Sequence, residues 1–185
     1  MIFTSCQDKK IKDISTEIEL EDELGGGKGT LINSNAVDFY FYYPENFTIQ
    51  RSDAMIIVSI SDSETQQTEK QVPISINPNL SAIVFSLQND SYEKIEEYWE
   101  NYALPGKEEI FKDIEVVSES DLPVDGVLAK KYVYTCSLSG MKFKIAEVIF
   151  FKRQQVYTLT YTATENKYDA YVNVLNTAAE TFKFK

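Results

Sequence analysis

Most acid–base, nucleophilic and transition-metal chemistry in proteins runs through histidine, and this chain of 185 residues has none. That removes Ser-His-Asp and Cys-His nucleophilic sites, the usual zinc sites, and the side chain that titrates between about pH 5 and 8. What chemistry remains rests on carboxylates. Glu147 stands in the middle of a strand pattern, on the same face as Phe143, Ile145, Ile149 and Phe151. A carboxylate buried there must pair with Lys or Arg or carry a raised pKa, which makes it a functional candidate; on a partly uncovered sheet face it is simply solvated. Asp121 and Asp125 flank a Pro-Val turn, and Glu96, Glu97 and Glu100 cluster in a helical run. Hard cations take several oxygen ligands, so either group is a candidate for a weak calcium site, although neither has EF-hand spacing and such charges usually form solvated faces. No carboxylate pair suggests glycosidase-like work, and Gly25 to Gly29 follows no strand, so it reads as a linker and not as a phosphate cradle. The expectation is a protein that is not an enzyme, with no cofactor.

Tyrosines offer recognition in place of catalysis. Tyr40, Tyr42, Tyr98, Tyr102, Tyr132, Tyr134, Tyr157 and Tyr161 combine apolar area with a hydroxyl, a pairing found in pockets and at protein interfaces alike. Their positions in strands and helices make most of them core. Tyr98, Trp99 and Tyr102, with Glu147, are the ligand or partner candidates, facing a cleft between a helix and a sheet.

The elements that would position these residues follow from periodicity. Val37 to Tyr43 is dense in aromatics and fits a strand covered on both faces, stopped at Pro44-Glu45-Asn46; Phe47 to Arg51 follows, and Met55 to Ser61, nearly continuous Ile and Val, is expected to be central. A polar loop spans Asp62 to Gln71 before a strand from Leu80 to Leu87. Asp90-Ser91-Tyr92-Glu93 has the form of a capping box, predicting a helix to Ala103 with the stripe Ile95, Tyr98, Trp99, Tyr102 and an end at Pro105-Gly106. Ile114 to Glu119 is a short strand, and Leu122 to Gly126 turns the chain. Ala129–Leu138, Lys142–Lys152 and Val156–Thr164 are joined by connections too short for anything but hairpins, so they form an antiparallel meander at the centre of the sheet. Cys136 shares a face with Tyr132, Tyr134 and Leu138 and reads as a small core residue. A final helix, Asn166 to Phe182, lays Tyr168, Tyr171, Val172, Leu175, Ala179 and Phe182 across the sheet.

Ahead of this lies a different kind of sequence. Residues 7–30 mix Glu17, Glu19, Glu21, Asp22 and Glu23 with a glycine cluster, the composition of a flexible spacer, so a tether (residues 1–30) precedes one domain (residues 31–185). The run Phe3-Thr4-Ser5-Cys6 resembles the end of a bacterial lipoprotein signal, in which Cys6 is lipidated, although Phe3 stands where an aliphatic residue is usual. That reading expects a leader upstream of Met1 and places the domain outside the cytoplasm on a lipid anchor; the alternative is a free thiol in a cytoplasmic tail. No run approaches the roughly 20 apolar residues of a membrane span. A net charge of −11, from 29 acidic against 18 basic residues, argues against nucleic acid as a partner.

The order of elements carries more than any one of them. Tyr43-Pro44-Glu45-Asn46-Phe47 after an aromatic strand, a helix centred on Trp99, a meander ending Val156-Tyr157-Thr158-Leu159-Thr160-Tyr161 and a last helix closing on Thr181-Phe182 together resemble the PsbP-like family over residues 36–185. The resemblance implies an α+β fold, a single antiparallel sheet of about six to eight strands flanked by helices. Photosystem II extrinsic subunits, a Ran-binding transport factor and many bacterial lipoproteins share that fold. It assigns no metal or halide site here, and fold alone does not confer function. The expectation is a lipid-anchored protein that binds a partner protein or stabilises a membrane complex; the alternative is a small-ligand or cation-binding lipoprotein that uses the cleft.

Overall fold

Three two-residue turns organise the C-terminal half. Asp125-Gly126, Ser139-Gly140 and Arg153-Gln154 all sit at positive φ (46° and 76°, 52° and 80°, 51° and 60°). This is the mirror-image turn whose twist matches that of paired strands. The turns link β6 (Lys112–Val124), β7 (Val127–Leu138), β8 (Met141–Lys152) and β9 (Gln155–Thr164) into consecutive antiparallel neighbours. In this computed structural model the described residues are 29–33, 37–44, 47–52, 55–60, 78–86 and 92–185. Cys6, the tether to residue 28, the polar loop from Asp62 to Gln71 and the capping residues Asp90 and Ser91 lie outside them.

Before the meander come β1 (Gly29–Asn33), β2 (Phe39–Pro44), β3 (Phe47–Ser52), β4 (Met55–Ile60) and β5 (Asn79–Ser86). β3 to β9 form a seven-stranded antiparallel sheet in the order β3-β4-β5-β9-β8-β7-β6. The α+β architecture and the strand number agree with the sequence reading. To it is added a second, three-stranded sheet of β1, β2 and a short C-terminal strand, β10 (Lys183–Phe184).

Several local expectations are corrected. β9, not Met55–Ile60, is the central strand, because an Ile/Val run expresses strand propensity whereas hairpin order decides rank in the sheet. β2 is not covered equally on both sides: Val37, Phe39, Phe41 and Tyr43 are buried and Asp38, Tyr40 and Tyr42 half-buried. β6 runs on through Leu122-Pro123-Val124, and the turn is Asp125-Gly126 alone. Pro123 is tolerated because β6 is the sheet edge, where a missing N–H need not break a ladder. Leu138, at the end of β7 beside a turn, is exposed.

The Trp99 helix also departs from expectation. It consists of α1 (Ile95–Tyr98), a π-helical turn (Trp99–Ala103) and α2 (Leu104–Glu108), with no side-chain cap at Lys94. Pro105 does not end it, because it falls in the first turn of α2, where an N–H is dispensable. The wide π turn shifts the phase of the buried stripe from Tyr102 to Ala103, leaving Tyr102 58% exposed. The closing helix is likewise shorter, α3 (Tyr168–Tyr171) and α4 (Asn173–Thr181). Phe182 then turns extended, and β10 pairs with β2.

The large sheet carries a core on each face. Over one, α4 and the small sheet bury Phe39, Phe41, Phe150, Tyr157, Leu159, Tyr161, Leu175 and Phe182. Over the other, the Trp99 helix buries Tyr132, Tyr134, Cys136, Phe143, Ile145 and Ile149.

Candidate functional site

The Trp99 helix covers β7 and β8 and stops short of β9 and β5. Strand alternation on β9 puts Tyr157, Leu159, Tyr161 and Ala163 in the far core and turns Thr158, Thr160 and Thr162 to the helix side. The result is a cleft of about 910 Å³ between helix and sheet. Its walls include Tyr98, Tyr102, Ala103 and Ile110 from the helical side and Ile83, Tyr134, Ile145 and the threonines from the sheet.

Glu147 stands at the junction of covered and uncovered sheet. Register places it between Tyr132 of β7 and Thr160 of β9, and Thr160 in turn opposes Ser81 of β5. Its side chain is only 6% exposed. A glutamate so buried needs a cation, and Lys107 Nζ lies 2.9 Å from its Oε2. The Tyr134 hydroxyl donates to the same oxygen at 3.4 Å. Burial, with the nearby Glu147 charge second, holds the Tyr134 hydroxyl far above the usual tyrosine range, so it stays a donor. The Lys107 ammonium also stands 5.3 Å from the centroid of the Trp99 ring. Trp99 is itself stacked flat on Tyr132 at 4.1 Å and 6°.

Tyr98, Tyr102 and Glu147 therefore meet at the cleft, while Trp99 lies behind it, under Lys107. Asp121 and Asp125 are not brought together. Asp121 and Glu96 share Lys130 at 3.1 and 2.8 Å, fastening the helix to the β6–β7 hairpin. Asp125 accepts from Lys183 Nζ at 2.8 Å and from the Phe184 amide at 3.0 Å. Among the described residues no group of three or more His, Cys, Asp and Glu could hold a metal ion. Cys136 is buried, and burial pushes its thiol up to about 11, so it packs and does not react.

Sequence reasoning missed Lys107 and the threonine row. Lys107 follows Pro105-Gly106, a pair that reads as a helix end, and nothing in a linear pattern joins it to a glutamate 40 positions on. The Thr158-x-Thr160-x-Thr162 alternation did carry a signal, a polar face opposite an apolar one.

No protein-family model matches the sequence, and no curated protein matches it by sequence. Solved structures do match. Cyanobacterial PsbP (CyanoP) from Synechocystis superposes with a TM-score of 0.58 at 11% identity, over 90% of this chain and 98% of that one. The Ran-binding protein Mog1p of Saccharomyces cerevisiae gives 0.60 at 10% identity, over 86% and 96%. LpqN of Mycobacterium tuberculosis, involved in cell envelope biogenesis, gives 0.56 at 14% identity, over 92% and 91%. The fold is that of PsbP and Mog1. At such identities the likeness extends to the PsbP-like architecture and no further. No helix among the described residues is long and apolar enough to cross a membrane.

Proposed function

We propose that this chain is a non-enzymatic binding protein of PsbP-like fold, held outside the cytoplasm by lipid on Cys6, which captures a small ligand in the cleft beneath the Trp99 helix. The observation that carries the reading is the cleft itself: tyrosine and isoleucine walls facing a threonine row, with a buried carboxylate held by Lys107. Concave sites that combine apolar walls with placed polar groups are the usual form of small-molecule pockets. A flat partner-binding patch has less support. On the β6–β7 hairpin the exposed neighbours Val116 and Val117 stand apart from the exposed Leu128, Val116 lying opposite Tyr134 and Leu128 opposite Pro123. Exposed apolar side chains so scattered are ordinary surface. LpqN, a protein of similar fold, is involved in cell envelope biogenesis, in keeping with the lipoprotein-like Cys6.

Two measurements test the two parts. Expressed in a bacterium from its own gene with the sequence upstream of Met1 included, the protein should pellet with membranes and lose that attachment in Cys6→Ser; equal partitioning of both refutes the anchor. Native mass spectrometry of protein purified from cells should show a small molecule retained by wild type and absent from Thr160→Trp, which fills the cleft. A wild type free of any small molecule, with Thr160→Trp still holding a protein partner, refutes the cleft.

A further inference from the structure

Lys107 and Glu147 form an unusual pair for this molecule. Their side chains are 18% and 6% exposed, whereas every other described ion pair has a partner at least 48% exposed. Burying such a pair gains little stability, because desolvation offsets the attraction and apolar replacements are often neutral or better. Its position on the wall of an open cleft therefore suggests a purpose other than folding.

The surroundings of the lysine head define an ammonium seat. A carboxylate oxygen lies at 2.9 Å, the face of Trp99 at 5.3 Å supplies cation–π attraction, and Tyr134 steadies the carboxylate through the same Oε2. Lys107 reaches the seat from outside, since Pro105, Gly106, Glu108 and Glu109 around it are all exposed. Its flexible stem can withdraw without unpacking the core.

We propose that this seat recognises a small organic cation, a primary or methylated amine on an apolar body, and that Lys107 is an internal occupant displaced when the ligand binds. The inference rests on the cleft reading and adds the charge of the ligand and the exchange. Replacing one cation by another keeps Glu147 compensated, whereas an anionic or neutral ligand that displaced Lys107 would strand a buried charge. Tyr102, Ile83 and Ile145 line the space where the apolar body would lie. The net charge of −11 favours approach of cations.

Trp99 is the only tryptophan of the chain, so its fluorescence reports this seat alone. Titrating wild type with n-butylammonium chloride, against sodium chloride at matched ionic strength, should shift the emission and saturate. Lys107→Met removes the competitor. If the seat stands open about a tenth of the time or less, the variant binds n-butylammonium roughly 10-fold tighter or more. Lys107→Met/Glu147→Gln should bind none. Equal midpoints in wild type and Lys107→Met, weaker binding in the variant, or a response that survives Glu147→Gln overturns the inference. Should Lys107→Met not fold, wild type and the double variant decide it. Saturation by butyrate or n-butanol with n-butylammonium silent overturns the amine and leaves the cleft reading standing, whereas silence of all three probes, with no small molecule retained by wild type, overturns both.

Discussion

One sheet presents two unlike faces. Beneath α4 and the small sheet, Phe39, Phe41, Phe150, Tyr157 and Phe182 close on one another with ring centroids 5.0 to 6.5 Å apart. Beneath the Trp99 helix the same strands bury aromatics only as far as β8 and then present a threonine row, Thr158 buried and Thr160 and Thr162 half-buried, with Glu147 at its margin. Both faces belong to the same β9, so strand propensity does not separate them; threonine shares the β-branched shape that suits a strand and differs in tolerating water. A face filled by rings is built for stability. A face left half open, in which the sole buried carboxylate among the described residues is met by a lysine from a helix end, is built to exchange partners.

The sharpest way to break that division is to remove a ring from the closed face. Phe150 is fully buried, and Phe150→Ala should lower unfolding free energy by about 3–5 kcal/mol in urea denaturation while leaving the amine response of Trp99 unchanged. A loss under about 1 kcal/mol would mean the closed face is not the structural one. On the open face, Lys107→Met strands Glu147, and because the cleft admits water the loss should fall somewhat below the roughly 3–5 kcal/mol of a fully dry pair. Lys107→Met/Glu147→Leu should return to within about 1 kcal/mol of wild type. A double variant as unstable as the single one would assign the pair to folding after all.

How much of this division the residues announce differs between the faces. The closed face is the more legible: Leu175 and Ala179 follow from a period of 3.6, whereas aromatics on every position of residues 39–43 hide the alternation that buries Phe39 and Phe41, and Phe182 is buried although the helix has already ended. The last strand of that face is not legible, since Lys183-Phe184 is too short to show a period and is defined by pairing with β2. The open face resists for two reasons. A π turn carries no signature in composition, so a regular helical period projects the stripe through Tyr102 where the backbone has already rotated to Ala103. The Lys107–Glu147 contact joins residues distant in sequence, and pairing of that kind is decided by packing alone. Glu147 is recognisable in the sequence as a question, a carboxylate among apolar neighbours, and the answer requires coordinates.

Smaller effects sharpen the comparison from features that serve both faces or the closed one alone. Gln154 holds φ 60° in the turn joining β8 to β9, a position that strongly favours glycine. Gln154→Gly should raise stability by about 0.5–1 kcal/mol without altering either face, and a decrease would show that the side chain makes contacts the turn geometry does not require.

The smallest expected effect belongs to Asp125, which ties the β6–β7 turn to the C-terminal strand of the closed face. The Lys183 hydrogen bond, then that of the Phe184 amide, holds its carboxyl below the usual range. A carboxyl depressed in the folded state stabilises fully above its unfolded pKa, and the contribution is lost as pH falls through the folded value. Asn favours the same turn conformation, so Asp125→Asn keeps the backbone and removes the charge. The urea midpoint of the variant should lie slightly below that of wild type near neutral pH, and the two should converge once pH drops beneath the ordinary aspartate range. Because Lys183 is well exposed, added salt should narrow the gap in the same direction. A gap that persists in acid would mean that hydrogen-bond geometry, and not charge, fastens the last strand to the hairpin.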